Sequence, residues 1–391
     1  MDHGEMHHHN TARTLDILYR SSPITMAKLR KESGLARRTI EVILENLIAK
    51  GWAKDSEASA KGVRSVGRPA RTFSFSYDAA CILAIQLEAG HISATVADLA
   101  ANPLAARRQV LPIATSRQER FRLLGECIEV LLTEVGRTRS SVLAVTVSTP
   151  GIVQDDGTVE LPFTMPEWSG FSLSEAVGQL FDCPVQVEND AKLAALGEKN
   201  IGGLDTQDFV YLYSDSERLG IGLVLRNELR RGVDGAAGEI SWAPALGLRS
   251  LTSPLLVDFD DEGSPNYQPA RDLVARAREG DARALAEVDK LAQTLAPGIT
   301  AIAWLLAPQE IILGGGLGEI QDLLVPALER ILQRNERPIT TLIRGSKFGQ
   351  ECILNGCLRM CIESLGEILF EASELSTLSA DPVVSAEAAH V

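Results

Sequence analysis

Residues 33–52 constrain the fold of this chain more than any other stretch, because apolar side chains recur there at helical spacing over several turns. We expect Gly34 to form a tight turn before this helix and Gly51 to end it. Residues 11–20 and 24–33 show similar apolar spacing and predict two shorter helices. Three helices with a tight glycine turn before the third are typical of a helix-turn-helix.

Two short alternating segments follow, at residues 52–54 and 71–77, and predict the strands of a hairpin. The loop between them, residues 56–70, is polar and basic. A helix-turn-helix with such a hairpin is a winged helix-turn-helix. The loop contains a Gly-Arg-Pro turn centred on Arg68, which suits an arginine that enters a minor groove, although the tripeptide alone could equally be a plain turn.

The first turn of the third helix and the wing carry the residues that we expect to contact DNA. Two arginines at a helix start oppose the helix dipole, and DNA phosphate would remove that conflict. An ordinary amphipathic helix with a solvated basic end is the alternative interpretation of this helix alone. The predicted DNA-binding residues are Arg37, Arg38, Thr39, Lys61, Arg64, Arg68 and Arg71. Of these, Arg37, Arg38 and Thr39 should face the major groove.

Charge is divided unevenly along the chain. The net charge of −14 is unfavourable for a DNA-binding protein taken as a whole. Residues 1–75, however, hold 13 basic and 8 acidic side chains, a net charge of +5, and the remainder holds 25 basic and 44 acidic side chains, a net charge of −19. A basic head on an acidic body directs the head towards DNA and keeps the body away from it.

The cysteines and the apolar segments indicate a cytoplasmic protein without a bound metal or other cofactor. Six cysteines are scattered without Cys-x-x-Cys spacing or a nearby histidine, so we expect buried free thiols in a reducing cytosol. We expect no signal peptide and no membrane partner, because no apolar run is long enough to span a membrane. The first histidines resemble a tag fragment or a disordered start; they are His3, His7, His8 and His9.

Beyond residue 79, two successive units of strands and helices predict a two-lobed α/β fold with a cleft between the lobes. The third strand of the first unit is expected at residues 110–114. In the second unit, residues 281–306 predict a long helix pair with a bend at Pro297. The tail from Leu375 is rich in serine and alanine, and we expect it to be disordered.

Three motifs follow the predicted winged helix-turn-helix, at residues 187–191, 232–239 and 311–316. They contain the segments Glu-Asn-Asp-Ala, Ala-Gly-Glu and Gly-Gly-Gly. In this order the chain resembles the ROK family of sugar-responsive repressors and sugar kinases. The resemblance implies an actin-like, hexokinase-like pair of lobes and a homodimer or tetramer. The implied domains are a winged helix-turn-helix at 1–78, lobe 1 at 79–195, lobe 2 with closing C-terminal helices at 196–374 and the tail at 375–391.

The resemblance also implies a sugar site between the lobes. The residues that match the sugar-binding positions of the family are Pro150, Gly151, Asn189, Asp190 and Glu239. A carboxylate can accept hydrogen bonds from adjacent sugar hydroxyls, and Asp190 also matches the catalytic base of the kinases. The alternative role of Asp190 is to cap the helix that follows it. The implied effector is a sugar or a sugar phosphate.

The chain departs from the family pattern where the kinases bind ATP and where the family binds zinc. Glu88 occupies a glycine position of the first phosphate loop, and Asp215 and Glu217 lie in the second. Their negative charge opposes a nucleotide phosphate. Trp242 stands where the family has a zinc-binding histidine, and residues 243–261 contain no cysteine, so we expect no zinc site.

These features predict a transcriptional regulator without catalytic activity, and specifically a repressor of carbohydrate-related genes that a sugar releases from DNA. An ATP-dependent sugar kinase with a DNA-binding appendage is one alternative, which the altered phosphate loops oppose. A regulator that binds no ligand and uses its body only to dimerise is another, because several sugar-site positions are altered.

Overall fold

The structure is a computed structural model, and the residues that it describes are 3–57, 71–162, 164–201, 206–215, 218–246, 248, 253–257, 259, 264–334, 337–349 and 351–371. Several predictions fall outside these residues: those for Lys61, Arg64, Arg68, Glu217 and the tail from residue 375. Among the helices of the described ranges, none is both long enough and apolar enough to cross a membrane.

The N-terminal part of the chain folds into three helices and a small sheet. The helices are α1 (His3–Ser21), α2 (Met26–Ser33) and α3 (Arg37–Ala49), and the strands are β1 (Ile24–Thr25), β2 (Ala53–Glu57) and β3 (Arg71–Phe75). The strands pair antiparallel in the order β1-β3-β2. We call residues 3–57 and 71–76 the head. Its three helices pack through the buried side chains Leu15, Leu18, Leu29, Ile40, Ile43, Leu44 and Leu47.

The turn before α3 is the one predicted, whereas two expectations near the start of the chain were wrong. Gly34 adopts a φ of 68°, and its N–H donates to the Arg30 carbonyl at 2.9 Å, which ends α2. Ile24 does not begin α2, because it pairs with Phe73 as a strand. The early histidines are not disordered, since α1 begins at His3. Helix formation is cooperative, so the packed second half of α1 supports its polar first turns.

The first α/β unit, lobe 1, is built on a five-stranded sheet. Its strands are β4 (Cys81–Leu87), β5 (His91–Ala97), β6 (Pro103–Val110), β7 (Val142–Thr149), β8 (Ile152–Val153), β9 (Thr158–Glu160), β10 (Phe171–Ser172) and β11 (Val185–Asn189), and its helices are α4 (Arg117–Glu134), α5 (Leu173–Gly178) and α6 (Asp190–Ile201). The main sheet has the order β11-β7-β4-β5-β6, and β10-β9-β8 form a small second sheet. The third strand was wrongly predicted at 110–114. It is an edge strand with mostly exposed residues, so its sequence carries little apolar alternation.

The second unit, lobe 2, repeats this architecture. Its strands are β12 (Phe209–Asp215), β13 (Arg218–Leu225), β14 (Glu228–Leu229), β15 (Glu310–Gly315) and β16 (Leu342–Gly345), and its helices are α7 (Tyr267–Arg278), α8 (Ala282–Leu306), α9 (Gly316–Glu319), α10 (Gln321–Leu332) and α11 (Glu351–Leu365). The sheet order is β14-β13-β12-β15-β16. The predicted helix pair is one continuous helix, α8, which passes through Pro297. Burial of Ala296 and Ile299 against the same core holds both sides of the proline in the helix.

The two sheets have the same topology. In each, the first strand pairs antiparallel with the second and parallel with the fourth, which pairs parallel with the fifth. The loops that follow the parallel strands of one sheet therefore gather at a single edge of that sheet. Ligands of open α/β sheets bind at that edge. Such repetition confirms the two-lobed α/β fold predicted from the alternating elements.

Helices α6 and α11 join the two lobes through a common core. On β4, Ile82 and Ala84 contribute to the core that contains α6 and α11, whereas Leu83 and Ile85 contribute to the core under α4. On β12, Tyr211 also faces α6 and α11. Because successive strand residues point to opposite faces, both sheets bury both of their faces.

The α6–α11 contact is close enough to require glycine. A Cβ atom built on Gly197 would lie 1.8 Å from the Cys352 carbonyl oxygen, and one on Gly356 would lie 1.9 Å from the Leu193 carbonyl oxygen. Each obstacle belongs to the backbone of the facing helix, which cannot rotate away as a side chain could. The two helix axes are thus fixed against each other at this crossing.

We expect Gly356→Ala to lower the free energy of unfolding by about 1–3 kcal/mol, because the added methyl overpacks this crossing. Helix propensity alone would favour alanine by about 1 kcal/mol, so the sign of the change separates the two effects. Urea unfolding midpoints provide the measurement. Gly366→Ala is the matched control, because a Cβ atom there meets nothing within 4 Å; equal stabilisation by both variants would contradict the close contact.

The head packs directly on the body and shares its core. The Tyr19 hydroxyl of α1 donates to the Leu99 carbonyl of lobe 1 at 2.8 Å, and the Tyr77 hydroxyl donates to the Tyr19 carbonyl. Burial is the main reason that the pKa of Tyr19 is raised to about 12. Helix α1 also contacts the π-helical turn Gly366–Glu371 that follows α11, where Leu369 is fully buried. One apolar core therefore runs from the head to both lobes.

Candidate functional site

Asn189 ends strand β11 at the edge of lobe 1 where a ligand is expected, and its side chain ties two segments together. Its Nδ2 donates to the Gly151 carbonyl at 2.9 Å, and its Oδ1 accepts the backbone N–H of Lys192 at 3.2 Å. Gly151 adopts a φ of 102°, and a Cβ atom there would lie 2.8 Å from the Glu160 carbonyl oxygen. The structure thus brings Asn189 and the Pro150-Gly151 turn into contact.

Asp190 opens helix α6 and lies between the lobes. Its side chain is 5% exposed, and Oδ1 accepts the N–H of Ala191 at 2.7 Å. A Cβ atom on Gly220, in strand β13 of lobe 2, would lie 3.8 Å from the same oxygen. The alternative prediction that Asp190 caps this helix is wrong, because α6 begins at Asp190 and the side chain in the capping position is that of Asn189, which accepts the N–H of Lys192.

Glu239 approaches the region between the lobes from lobe 2. It ends the segment from Gly232 to Glu239, which follows the last strands of the lobe 2 hairpin. Burial raises the pKa of its carboxyl group, Lys192 counteracts that rise, and Asp190 adds to it. The Glu239 carboxyl group is therefore under the electrostatic influence of two α6 residues, and its place in one site with Asp190 stays a prediction.

The segment 232–239 is wedged between the lobes. A Cβ atom on Gly235 would lie 2.0 Å from the Val153 carbonyl oxygen of lobe 1, and one on Gly238 would lie 2.4 Å from the Ile221 carbonyl oxygen of lobe 2. Both glycines have positive φ, of 73° and 92°. This segment cannot shift without moving one lobe or the other.

Three charged residues of this region were missed by the sequence reasoning. Lys192 is fully buried, and its Nζ donates to the Gly235 carbonyl at 2.5 Å. Glu188 is fully buried as well, and its Oε2 accepts from Nε of Arg231 at 2.6 Å. A lysine within the apolar run Ala191–Leu196 is the signal that could have revealed the first contact, because lysine is almost never fully buried without a partner.

The side of the cleft where kinases would hold a nucleotide contains a buried carboxylate. Glu88 follows β4, is 7% exposed and accepts from Nε2 of Gln86 at 2.7 Å. The Arg120 guanidinium donates to the Ala89 carbonyl at 3.0 Å. A cavity of about 410 Å³ lies at the end of β15; its lining includes Arg278, Gly315, Gly318, Gln321, Asp322 and Lys347.

The exposed start of α3 carries the predicted DNA-reading residues. Arg37 and Arg38 are exposed and Thr39 is half-buried. Nε of Arg37 donates to Glu41 Oε1 at 2.8 Å, and this hydrogen bond is the main reason that the pKa of Glu41 is lowered. Arg38 makes no hydrogen bond with any described residue, so its guanidinium is available to a partner.

Arg71 lies at the start of β3. It is exposed, its Nε donates to Asp55 Oδ2 at 2.6 Å, and its guanidinium lies 5.5 Å from the centre of the Phe73 ring. The hydrogen bond to Asp55 is the main cause of its raised pKa, to which Glu41 of α3 also contributes. The structure thus brings Arg71 near α3, with its charge already partly balanced.

Comparison with known proteins identifies the body. The model of the ROK family matches residues 82–245 and 250–363, which is most of the chain. The chain belongs to the ROK family. It is 23% identical to the xylose repressor of Caldicellulosiruptor bescii over 376 residues, which cover 88% of this chain and 92% of that protein.

Two solved structures show the extent of the fold. A ROK family transcriptional regulator, a homologue of the Escherichia coli MLC protein, matches with a TM-score of 0.67 and 20% identity over 95% of this chain and 99% of its own. A ROK family glucokinase from Streptomyces griseus, in complex with glucose and AMPPNP, matches with a TM-score of 0.56 and 20% identity over 72% of this chain and 99% of its own. The body therefore has the two-lobed, sugar-kinase-like ROK fold.

We expect the purified ROK protein to contain no stoichiometric zinc. Trp242 lies in the short 3-10 turn after Glu239, and within the described ranges no three His, Cys, Asp or Glu side chains are grouped as metal ligands. A structural zinc site takes four such ligands, and a catalytic site takes three together with a water. Metal analysis of tag-free protein tests this prediction, and about one zinc per chain would contradict it.

Proposed function

We propose that this ROK protein is a sequence-specific, DNA-binding transcriptional repressor of carbohydrate-related genes, and that an uncharged sugar releases it from its operator. The observation that carries the proposal is the basic head with an exposed arginine-bearing helix, joined by a continuous core to a sugar-kinase-like body. The head precedes the part that matches the family model. The regulator-like match spans 95% of the chain and the kinase-like match 72%, which favours a regulator.

We propose that the head is a winged helix-turn-helix. Helix α3 would enter the major groove with Arg37, Arg38 and Thr39 at its leading end, and Arg71 would support the wing. The predicted contacts of Lys61, Arg64 and Arg68 belong to the same proposal. Arg38 contributes specificity, since its guanidinium has no hydrogen-bonding partner within the described part of the chain.

The proposed effector contacts Asn189, Asp190 and Glu239, beside the turn of Pro150 and Gly151. Carboxylates accept hydrogen bonds from sugar hydroxyls, which are donors. A sugar phosphate is less suitable, because the cations of this region are engaged: the buried Lys192 with Gly235, and the half-buried Arg231 with Glu188. Phosphate recognition favours an available Arg or Lys. We therefore prefer an uncharged sugar.

Effector binding would act by changing the relative position of two heads in a homodimer. A ligand can shift such an equilibrium only if it binds one arrangement more tightly than the other. Glu239 and Asp190 approach the site from different lobes, so a sugar between them would favour one interlobe arrangement. The shared core would carry that preference to the head.

The test uses operator DNA that the purified protein itself selects from random sequences. Fluorescence anisotropy then measures its affinity with and without D-xylose, D-glucose and D-glucose 6-phosphate. We expect an uncharged sugar to weaken DNA binding and no sugar to stimulate ADP formation from ATP. Sugar-dependent ADP formation would favour the cytoplasmic sugar kinase instead, and DNA binding that no sugar changes would favour the ligand-blind regulator.

A further inference from the structure

Lys192 has an unusual environment for a lysine. It lies in the first turn of α6, is fully buried and is flanked by the buried residues Ala191 and Leu193. Removing an ammonium group from water is costly unless the protein supplies compensating partners. The compensation must come from within the site, because no part of this side chain reaches solvent.

The direct partner of this ammonium is the segment 232–239. Lys192 Nζ donates to the Gly235 carbonyl at 2.5 Å. Arg231, which directly precedes the segment, bonds Glu188 of lobe 1. Both contacts therefore hold the segment against lobe 1, and Glu239 follows Gly235 by four residues.

The charges of the site provide the indirect compensation. Among the described residues, those that act on the Glu239 carboxyl group are Lys192 and Asp190, both on α6. Two carboxylates in one site repel each other, and a cation that acts on either of them reduces that repulsion. Glu239 accepts a hydrogen bond from a sugar hydroxyl best when it is ionised. The cation favours this ionised form, which is the form that binds sugar.

We propose that Lys192 is a positioning residue of the sugar site, whose ammonium group holds the segment 232–239 against α6 and balances the charge of the Asp190–Glu239 pair. This inference rests on the proposed sugar-binding function, which it deepens. It assigns a specific role to a residue that need not touch the ligand.

The first experiment needs no ligand. The titration of Glu239 is followed by carbon-13 NMR of labelled glutamate carboxyl groups, with Glu239→Gln to assign the signal. In Lys192→Gln the amide can still donate to Gly235, but the charge is lost, so the Glu239 midpoint should move to higher pH. Lys192→Arg should leave it near the wild-type value. An unchanged midpoint in Lys192→Gln would overturn the charge-balancing role.

A matched control separates this effect from the loss of any lysine on α6. Lys199 lies on the same helix and also donates to a lobe 2 carbonyl, that of Asn227, at 2.6 Å. Lys199→Gln should not move the Glu239 midpoint, and an equal movement would contradict a site-specific role. If Lys192→Gln fails to fold, Lys192→Met and Lys192→Arg are compared in the same way; equal midpoints in these two variants would likewise overturn the proposal.

The second experiment measures D-xylose and D-glucose affinity as a function of pH. In the wild type, affinity should rise as pH rises through the Glu239 midpoint, because the carboxylate is the acceptor. In Lys192→Gln this rise should move to higher pH by the same interval as the NMR midpoint. A uniform loss of affinity at every pH would indicate a purely structural role and contradict the proposal. If neither sugar binds the wild type, the proposed effector fails, while the NMR result still decides the role of Lys192.

Discussion

Asp190→Ala will largely abolish the response of operator binding at sugar concentrations that half-saturate the wild type, and it will leave operator affinity in the absence of sugar unchanged. Asp190 begins α6 between the lobes, and its carboxylate is the acceptor that we assign to a sugar hydroxyl. A hydrogen bond to a charged group contributes about 1.5–3 kcal/mol, so sugar affinity should fall roughly 10- to 150-fold. The head lies outside this contact, so its DNA surface is unaltered.

The measurement is operator affinity across a sugar titration. Asp190→Asn keeps an oxygen that can accept the Ala191 N–H, so it separates the loss of the charge from the loss of this hydrogen bond. Glu175→Ala is the matched control, because Glu175 is also an acidic residue in the first turn of a lobe 1 helix and lies outside the site. A normal sugar response in both Asp190 variants would remove this residue from the proposed pocket.

The second large effect is expected on DNA. Arg38→Ala should weaken binding to the selected operator by about 1–3 kcal/mol, because an arginine that reads a base edge contributes that much discrimination. Arg37→Ala should have a smaller effect of its own, since Arg37 already bonds Glu41. Its removal nevertheless leaves the Glu41 carboxylate uncompensated beside DNA, so the double variant should bind more weakly than either single one.

Anisotropy titrations at several salt concentrations distinguish base reading from phosphate contact. Loss of a phosphate contact reduces the salt dependence and affects all sequences alike, whereas loss of base reading reduces preference for the operator. Arg122→Ala removes a positive charge from α4 of the body and serves as the control. Unaltered operator binding by the Arg37→Ala/Arg38→Ala variant would show that α3 is not the recognition helix.

The sequence was informative where a single periodicity governs an element. Strands such as Cys81–Leu87 are buried on both faces and read as apolar runs, and α3 follows its apolar stripe with glycines at both ends. Prediction failed for segments that show neither helical nor strand periodicity. Strand β6 is an exposed edge, and its place depends on pairing with β5 rather than on its own pattern. Ile24 was assigned to a helix because its partner, Phe73, is 49 residues away.

The candidate site shows the same limit. Asn189, Asp190 and Glu239 were selected because their motifs resemble those of a family. The structure joins Asn189 to Gly151, and Lys192 to the segment that carries Glu239. Lys192 was missed because its partner is a backbone carbonyl 43 residues away. Every residue has such a carbonyl, so the residue type at that position does not identify the partner. Only the folded structure shows that the ammonium group contacts the segment that carries Glu239.

The shared core of head and body limits how regulators of this design can exchange specificities. A chimaera that joins this body to another head would have to replace the Tyr19 hydroxyl that donates to the Leu99 carbonyl, together with the ring contact between Tyr19 and Tyr77. It would also uncover Leu369 in the C-terminal turn. New operator specificity is therefore reached more readily by substituting the exposed residues of α3 than by recombining whole heads.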